Sequence, residues 1–552
     1  TAQINNATLT TSTTAELNII DGGTSATSTT VVDADRVVMN DNGTMVQVAV
    51  TDLSAYFDDE ITAMPNLVTV GAAGTLSTIA GVKFFNESNS IYTHDVSATT
   101  SGANRNTAIG INALDAITTG DDNAAFGQNA LTTNTTGSEN AGIGMEALKA
   151  NTTGARNVAL GHAALTANTT ANDNVAVGSY ALGANTTGAT NVAVGKSSLY
   201  SNTTASSNTA VGETAMYANT TGAQNTSVGR NSLGANTTAG NNTAVGYSAL
   251  AANTTAGDNV AVGESAMLTN TTGNNNVAVG KDALKLNATT NNNTAVGNSA
   301  LFTNVGNENT ALGATAMYSN TTGNYNTALG RSAMVENTTG TRNIAVGNNA
   351  YNSSDTENDN LAIGYDAMTT NTAGGTQNIA LGNYVLDALT SGDGNVALGY
   401  NAMTAMTTGD NNVGIGRGAM LAQTTASDNV AIGTYSMDSN TTGTSNIALG
   451  STTMRANTTG VRNIAIGHDA YNSSDTENDN IAIGYAAMTT NTAGGTYNIA
   501  VGNYALDALT SGDYNIAIGG SAGTAITTGG DNTIVGYLAG NALTSGADNV
   551  AI

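Results

Sequence analysis

Apolar and polar positions alternate in one short block that returns every seventeen residues along most of the chain. The block starts at an Asn and ends at a Gly four residues later, as in Asn191–Gly195 (NVAVG). Between them, the first and third residues are mostly Val, Ile, Leu or Thr, and the middle residue is almost always Ala. Alternation with β-branched residues predicts a three-residue strand. A fixed period of this length predicts that the strands stack, coil on coil, into a solenoid.

We number each coil from its Asn, so that the strand occupies positions 2–4 and the glycine position 5. Positions 8 and 9 carry Ala and then Leu or Met, and positions 12–15 read Asn-Thr-Thr-Gly in many coils, as in Asn185–Gly188. The latter sequence fits a type I turn. The predicted fold class is all-β: a parallel β-solenoid shaft over 101–552, with about 27 coils and a length of about 130 Å at about 4.8 Å per coil.

Each coil position has an expected role. The Asn at position 1 is expected to stack into a ladder of amides, and the Gly at position 5 to take a positive φ or to permit close backbone approach. Positions 2 and 4 are expected to fill the interior of the coil, and Met at position 9 to act as a flexible core filler in preference to a soft metal ligand. The ladder candidates include Asn106, Asn123, Asn157, Asn191, Asn276 and Asn463, and the corner glycines include Gly110, Gly127, Gly161, Gly195, Gly280 and Gly467.

The small residue at position 3 suggests a surface that packs closely against something. Four modest apolar side chains per seventeen residues barely offset the cost of ordering the backbone. We therefore expect several chains to share their burial. A homotrimer with the Ala face turned to the common axis would satisfy this requirement.

Composition narrows the function classes. The net charge is −26 although only 10% of residues are charged, which argues against nucleic acid as a partner. The chain contains no Cys, so it has neither disulfides nor thiolate metal sites. It shows no apolar run long enough for a membrane span, no recognisable signal peptide, no nucleophile–base pair and no phosphate loop. We expect no enzyme, no cofactor and no membrane insertion.

Residues 1–100 lack the period and are expected to form a separate attachment or capping module. Val31–Val50 is predicted to be a hairpin that turns at Asp41–Gly43, and Asp52–Ile61 a short helix. The chain begins without Met and stops inside a coil. We expect it to be a piece of a longer protein.

The period is broken in a few places, all near the predicted turn, where a loop tolerates length changes. The spacing from Gly297 to Gly313 is one residue short, and that from Gly364 to Gly382 one residue long. The long spacing recurs in a second, near-identical block that starts near Ala470. The two blocks indicate a duplicated segment of several coils.

Acidic residues at alternate positions are typical of calcium-binding loops. They occur in both blocks, as Asp355, Glu357 and Asp359 and again as Asp475, Glu477 and Asp479. The glycine that such loops use is absent. A solvated acidic turn is the favoured interpretation.

Other residue types leave alternatives open. The Asn-Thr-Thr sequences, for instance at Asn134 and Asn151, fit glycosylation sites but are favoured as turns. His162 and His468 are too far apart in sequence to share a metal and are expected at the surface. Tyrosines recur one or two places after the corner glycine and either cover that corner or stack on sugar rings; they are Tyr180, Tyr247, Tyr365, Tyr384, Tyr400, Tyr435, Tyr485, Tyr504 and Tyr537.

The coil motif resembles the head repeats of trimeric autotransporter adhesins. The residues that carry the resemblance are Asn106–Gly110 (NTAIG), Asn463–Gly467 (NIAIG) and their equivalents over about 105–552. The resemblance implies a left-handed parallel β-roll with three chains to a head. The family coil is shorter, and the turn around Asn-Thr-Thr-Gly departs from it. Thr13–Gly22 (TTAELNIIDG) and Val31–Val48 are similar to parts of marine bacteriophage tail-fibre proteins.

These observations predict the structural shaft of a phage tail fibre, located in the extracellular part of a virion. Its N-terminal module would contact other tail or surface proteins, and the fibre would support attachment to a host glycan or surface receptor. The alternative is the head of a bacterial trimeric adhesin at the cell surface. A third alternative, an ice-binding solenoid, would need a flat face of Thr.

Overall fold

The structure is a computed structural model. It describes residues 91–92 and 102–552 with their side chains, and it describes the backbone of the strands within 36–49 and 78–90. The chain divides into two units, Thr1–Asn86 and Glu87–Ile552. Thr13–Gly22 and the helix expected over Asp52–Ile61 lie outside the described residues.

The described part of the first unit contains two antiparallel strand pairs. β1 (Arg36–Asp41) pairs with β2 (Thr44–Ala49), with Asp41 opposite Thr44. This pairing confirms the hairpin predicted over Val31–Val50. β3 (Thr78–Ile79) pairs with β4 (Val82–Lys83).

The second unit is a parallel β-solenoid that contributes one three-residue strand per coil. The described residues contain no helix, and therefore no helix that could cross a membrane. β5 (Phe85–Glu87) includes the last two residues of the first unit and the first residue of the second. The further strands, all in the second unit, are β6 (Ser90–Tyr92), β7 (Thr107–Ile109), β8 (Ala124–Phe126), β9 (Ala141–Ile143), β10 (Val158–Leu160), β11 (Val175–Val177), β12 (Val192–Val194), β13 (Thr209–Val211), β14 (Thr226–Val228), β15 (Thr243–Val245), β16 (Val260–Val262), β17 (Val277–Val279), β18 (Thr294–Val296), β19 (Thr310–Leu312), β20 (Thr327–Leu329), β21 (Ile344–Val346), β22 (Leu361–Ile363), β23 (Ile379–Leu381), β24 (Val396–Leu398), β25 (Val413–Ile415), β26 (Val430–Ile432), β27 (Ile447–Leu449), β28 (Ile464–Ile466), β29 (Ile481–Ile483), β30 (Ile499–Val501), β31 (Ile516–Ile518), β32 (Thr533–Val535) and β33 (Val550–Ala551).

From β6 to β33 each strand pairs in parallel with the next one along the chain. Equivalent coil positions face each other, as in Val192↔Thr209, Ala193↔Ala210 and Val194↔Val211. The register holds across the short and long coils, where Thr294 pairs with Thr310 and Leu361 with Ile379. The length changes are therefore absorbed outside the sheet, as expected for turns.

The two faces of the sheet are reversed relative to the sequence-based expectation. Position 3 points into the coil, and Ala193 and its equivalents are fully buried, whereas positions 2 and 4 point outward and are partly exposed. Position 3 shares the interior with position 9. The coil that carries a large residue at position 3, Ile534, has Gly540 at position 9, where an added methyl would lie 2.9 Å from the Ile534 side chain. Where Gly142 replaces Ala, an added methyl would already lie 3.3 Å from the Leu131 side chain of the preceding coil. The expectation that the Ala face lies between chains was therefore wrong.

Position 9 supplies the largest side chains of the interior. Leu199, Met216 and Met267 are fully buried, and their backbones take φ values of 51°, 54° and 50°. A left-handed conformation is unfavourable for residues branched at Cβ. This explains why the interior uses Leu and Met at position 9 and leaves Val and Ile to the strand. The burial confirms Met as a core filler.

Candidate functional site

The Asn at position 1 joins each coil to the next through both its backbone and its side chain. The backbone N–H of Asn191 donates to Oδ1 of Asn174, 2.9 Å away, and Oδ1 of Asn191 accepts from the N–H of Asn208 at 3.0 Å. Nδ2 of Asn191 donates to the carbonyl of Ala205 at 2.9 Å, which closes the coil across its interior. These asparagines are buried. The structure thus places them in a ladder that combines amide–amide contacts with backbone capping.

A second buried Asn ladder runs along position 12, where the sequence suggested only a turn. Nδ2 of Asn202 donates to Oδ1 of Asn185 at 2.8 Å and to the carbonyl of Ala205, three residues ahead, at 3.0 Å. The regular return of this Asn was the available signal. Asn134 and Asn151 belong to this ladder and are fully buried, so neither amide is accessible to a glycosyl group in the folded coil.

The corner glycine at position 5 is required by both conformation and space. Gly195 has a φ of 131°, a region that side chains disfavour. A methyl on its Cα would lie 2.5 Å from the carbonyl oxygen of Gly212, the equivalent residue of the next coil. The glycines at this position, among them Gly110, Gly127, Gly161, Gly280 and Gly467, form a stack in which backbone meets backbone.

One variant coil, present in both duplicated blocks, replaces the position-12 Asn by Ser354 and the position-9 residue by Tyr351. The Tyr351 hydroxyl accepts from Nδ2 of Asn360 at 2.6 Å and from Nδ2 of Asn371 at 3.3 Å. Asn371 is the next member of the position-12 ladder. The tyrosine oxygen therefore takes the place of the missing amide oxygen, and Tyr471 repeats the arrangement.

The alternate carboxylates of this coil point to different partners. Glu357 is buried, and its carboxylate accepts from the backbone N–H groups of Asp355 at 2.8 Å, Thr356 at 3.0 Å and Gly374 at 3.1 Å. Gly374 lies in the lengthened turn of the next coil. The residue inserted in that turn and the buried Glu357 therefore belong to one hydrogen-bonded arrangement. The sequence alone does not indicate that the two features are linked.

The outer carboxylates are also engaged. Asp359 forms a two-fold contact with Arg342 of the preceding coil, at 2.6 and 2.8 Å. Hydrogen bonding to that guanidinium lowers the pKa of Asp359. Asp355 accepts from the Thr338 hydroxyl. In the copy, Glu477 accepts from the N–H groups of its own turn, Asp479 pairs with Arg462, and Asp475 accepts from Thr458. The three side chains do not converge, and 102–552 contains no group of three His, Asp or Glu residues suited to a metal.

Replacing Tyr351 by Phe should weaken this coil by about 1–2 kcal/mol, because two buried amides lose an acceptor. Hydrogen exchange of residues 343–377, followed by mass spectrometry, measures the change. Burial raises the pKa of Tyr351, so the stabilisation is complete below the ordinary tyrosine pKa of about 10 and is lost as the pH rises above it. The exposed Tyr365→Phe serves as the control. Equal protection in both variants would contradict the assigned role.

The outer face of the sheet carries a row of partly exposed side chains that runs along the coils. We call positions 2 and 4 of the coils the apolar stripe. In every coil from 107 to 535, position 4 is Val, Ile, Leu or Phe. Leu160 is 45% exposed and Ile518 43%. Contiguous rows of exposed apolar side chains mark interaction surfaces in soluble proteins.

Aromatic side chains follow the corner glycine on the adjoining surface. His162 lies 4.9 Å from Tyr180, and His468 lies 5.6 Å from Tyr485, both measured between ring centroids. Each histidine is thus part of a local aromatic pair.

No family model matches the chain, and no curated protein or solved structure is significantly similar to it.

Proposed function

We propose that this chain is the shaft of a fibre whose task is mechanical, and that the fibre belongs to a phage tail. The observation that carries the mechanical role is the continuity of the ladders. A parallel sheet and the position-1 Asn ladder both connect successive coils without interruption from Asn106 to Asn549. Coupling of every coil to its neighbours makes a solenoid stiff along its axis.

The shaft is proposed to be a homotrimer that buries the apolar stripe. Three copies with the same repeat present matching surfaces at every coil, so their stripes meet along the whole shaft. Burial of apolar surface stabilises such contacts by about 25 cal/mol per Å². The stripe, and not the Ala face, therefore lies at the proposed axis. Left-handed winding of the coil is part of this proposal and rests on the resemblance to adhesin heads.

The assignment to a phage rests on the N-terminal similarity to tail-fibre proteins, and the bacterial adhesin head remains the alternative. Antibodies against the solenoid, applied to the virion and cell fractions of a producing culture, distinguish the two. Labelling of fibres on virions supports the proposal. Labelling confined to cell surfaces favours the adhesin.

The outer face disfavours ice binding. An ice-binding sheet needs regular ranks of Thr. Position 2 does carry Thr in several coils, such as Thr209 and Thr226, but it carries Val or Ile in most others, and position 4 carries no Thr from 107 to 535. The Thr135 hydroxyl at the turn donates to the Thr152 carbonyl of the next coil.

Charges within the apolar stripe should separate the chains. The double variant Val194→Asp/Val211→Asp places carboxylates of all three chains close together, where like charges repel at low dielectric. Sedimentation equilibrium should give a trimer for the wild type, about three times the 54.9 kDa chain, and a smaller species for the variant.

The matched control is Thr204→Asp/Thr221→Asp, which adds the same charges to exposed turn positions of the same two coils. The control should remain a trimer. Electron microscopy of the same samples should show straight rods. A wild-type chain that sediments as a stable monomer would overturn the trimer, and the absence of rods would overturn the shaft.

A further inference from the structure

A row of large polar and aromatic side chains occupies one edge of the solenoid over five consecutive coils. We call Tyr365, Tyr384, Tyr400, Arg417 and Tyr435 the tyrosine ridge. Ring centroids are 5.5 Å apart between Tyr365 and Tyr384 and 6.0 Å apart between Tyr384 and Tyr400. Tyr365 is 44% exposed and Tyr400 49%. Tyr384 and Tyr435 are half-buried, so the ridge combines exposed and partly covered rings along the fibre axis.

The backbone holds the ridge in place. The N–H of Tyr384 donates to the carbonyl of Tyr365 at 3.0 Å, and the N–H of Tyr435 donates to that of Arg417 at 2.9 Å. The N–H of Gly418 donates in the same way to the carbonyl of Tyr400 at 3.0 Å. Side chains attached to a hydrogen-bonded ladder are preorganised, which lowers the entropic cost of binding.

At its C-terminal end the ridge contains an open depression. The depression is lined by Tyr400, Asn401, Arg417, Gly418, Leu421 and Tyr435. The Arg417 guanidinium carbon lies 5.4 Å from the centroid of the Tyr435 ring. Apolar and aromatic walls with a few placed hydrogen-bonding groups are characteristic of ligand sites.

Gly418 keeps the depression open. A methyl on its Cα would lie 2.7 Å from Cδ1 and Cε1 of Tyr435. Its φ of 62° does not by itself require Gly, because Ala163 and Ala486 occupy the same coil position with φ values of 55° and 49°. We therefore attribute the glycine here to the space that the Tyr435 ring occupies.

Tyrosines also rest on a glycine of the preceding coil elsewhere. Gly183 lies under Tyr200, where a methyl would meet the ring at 2.8 Å, and Gly520 lies beside Tyr537 at 3.2 Å. In all three pairs the glycine precedes the tyrosine by seventeen residues. Seating a ring on backbone fixes it while leaving Tyr537, for example, 79% exposed.

We propose that the tyrosine ridge binds a neutral glycan that lies along the fibre axis, with one pyranose ring in the depression between Tyr400 and Tyr435. The C–H face of a pyranose packs on aromatic rings, and its hydroxyls accept from Arg417 and bond to the Asn401 amide. Further sugar units would extend over Tyr384 and Tyr365.

Charge and position define the ligand further. A net charge of −26 repels polyanionic glycans, and the Arg417 guanidinium in the depression disfavours a cationic one. We therefore take the ligand to be neutral. The ridge lies at positions 6 and 7 of the coil and the apolar stripe at positions 2 and 4, so the two surfaces share no residue. The inference deepens the attachment role proposed above and rests on it for its biological setting.

Affinity electrophoresis of the full chain tests the proposal, with gels that contain mannan, xylan or a neutral β-glucan and a parallel gel with dextran sulfate. At least one neutral polysaccharide should retard the wild type. Tyr400→Ala should weaken the retention about tenfold or more, as truncation of a central aromatic contact does. Gly418→Ala should weaken it similarly by displacing the Tyr435 ring. Tyr325→Ala, exposed but outside the ridge, should have no effect.

Each contrary outcome is informative. No retardation in any neutral gel, retardation by dextran sulfate alone, or an equal loss in Tyr325→Ala would overturn the glycan site. A change in sedimentation on Tyr400→Ala would show that the ridge is instead a contact between copies of the chain. Rods seen by electron microscopy without glycan binding would leave the shaft in place and remove only this inference.

Discussion

Replacing Gly195 by Ala should open the solenoid at that corner. The added Cβ would meet backbone atoms of Gly212, at 2.5 Å from its oxygen and 2.6 Å from its carbonyl carbon. No side-chain rotation relieves such a contact, and the φ of 131° is itself strained for Ala. Relief requires the two coils to separate, which breaks the bond from Gly212 N–H to the Val194 carbonyl at 2.7 Å. We expect a local loss of about 4 kcal/mol or more.

Hydrogen exchange of residues 174–228 measures this loss, because a long repeat protein opens locally and has no single unfolding free energy. Gly188→Ala is the matched control in the preceding coil. Its new methyl would also face backbone, but Ala171 and Ala205 occupy the same coil position naturally. We expect the control to lose about 1 kcal/mol or less. Similar losses in both variants would show that position 5 does not require Gly more strictly than position 15.

The seventeen-residue repeat was enough to predict the fold. Each repeat contains only one short strand, and that strand can form a sheet only by pairing with the equivalent strands of neighbouring coils. The choice of inner and outer face could not be predicted in the same way. Both faces of Val192–Val194 are apolar, so alternation alone does not say which is buried. The decision depends on the width of the coil, which the fully buried Leu199 and Asn191 already fill, leaving room only for Ala193.

The second ladder and the variant coil were missed for a different reason. Asn185 was explained locally, as a turn residue, although its contacts are to the coils before and after it. Tyr351 bonds to Asn371, twenty residues away, and Glu357 to Gly374, seventeen residues away. Such compensation between a substitution and a length change in the next coil becomes visible only when the coils are stacked.

Replacing Asn191 by Leu should be the most costly side-chain change in the interior. Leu has about the same size but removes an acceptor for the Asn208 N–H and a donor for the Ala205 carbonyl, bonded at 3.0 and 2.9 Å. The Asn208 N–H would stay buried and unsatisfied, at about 1–3 kcal/mol. The Ala205 carbonyl would keep only the bond that it accepts from Nδ2 of Asn202. With the bond that Ala205 loses, we expect a loss of roughly 2–4 kcal/mol in the coils on both sides, measured by hydrogen exchange of residues 174–224.

The matched control is Asn202→Leu, at position 12 of the same coil. Natural coils carry Leu there, at Leu389 and Leu509, and the ladder oxygens that precede them, on Asn371 and Asn491, lack a hydrogen-bond partner. The position-12 ladder therefore tolerates interruption, whereas position 1 is Asn in every coil from Asn106 to Asn549. We expect the control to lose less than half as much as Asn191→Leu. A larger loss at Asn202 would mean that position 12, and not position 1, holds the coils together.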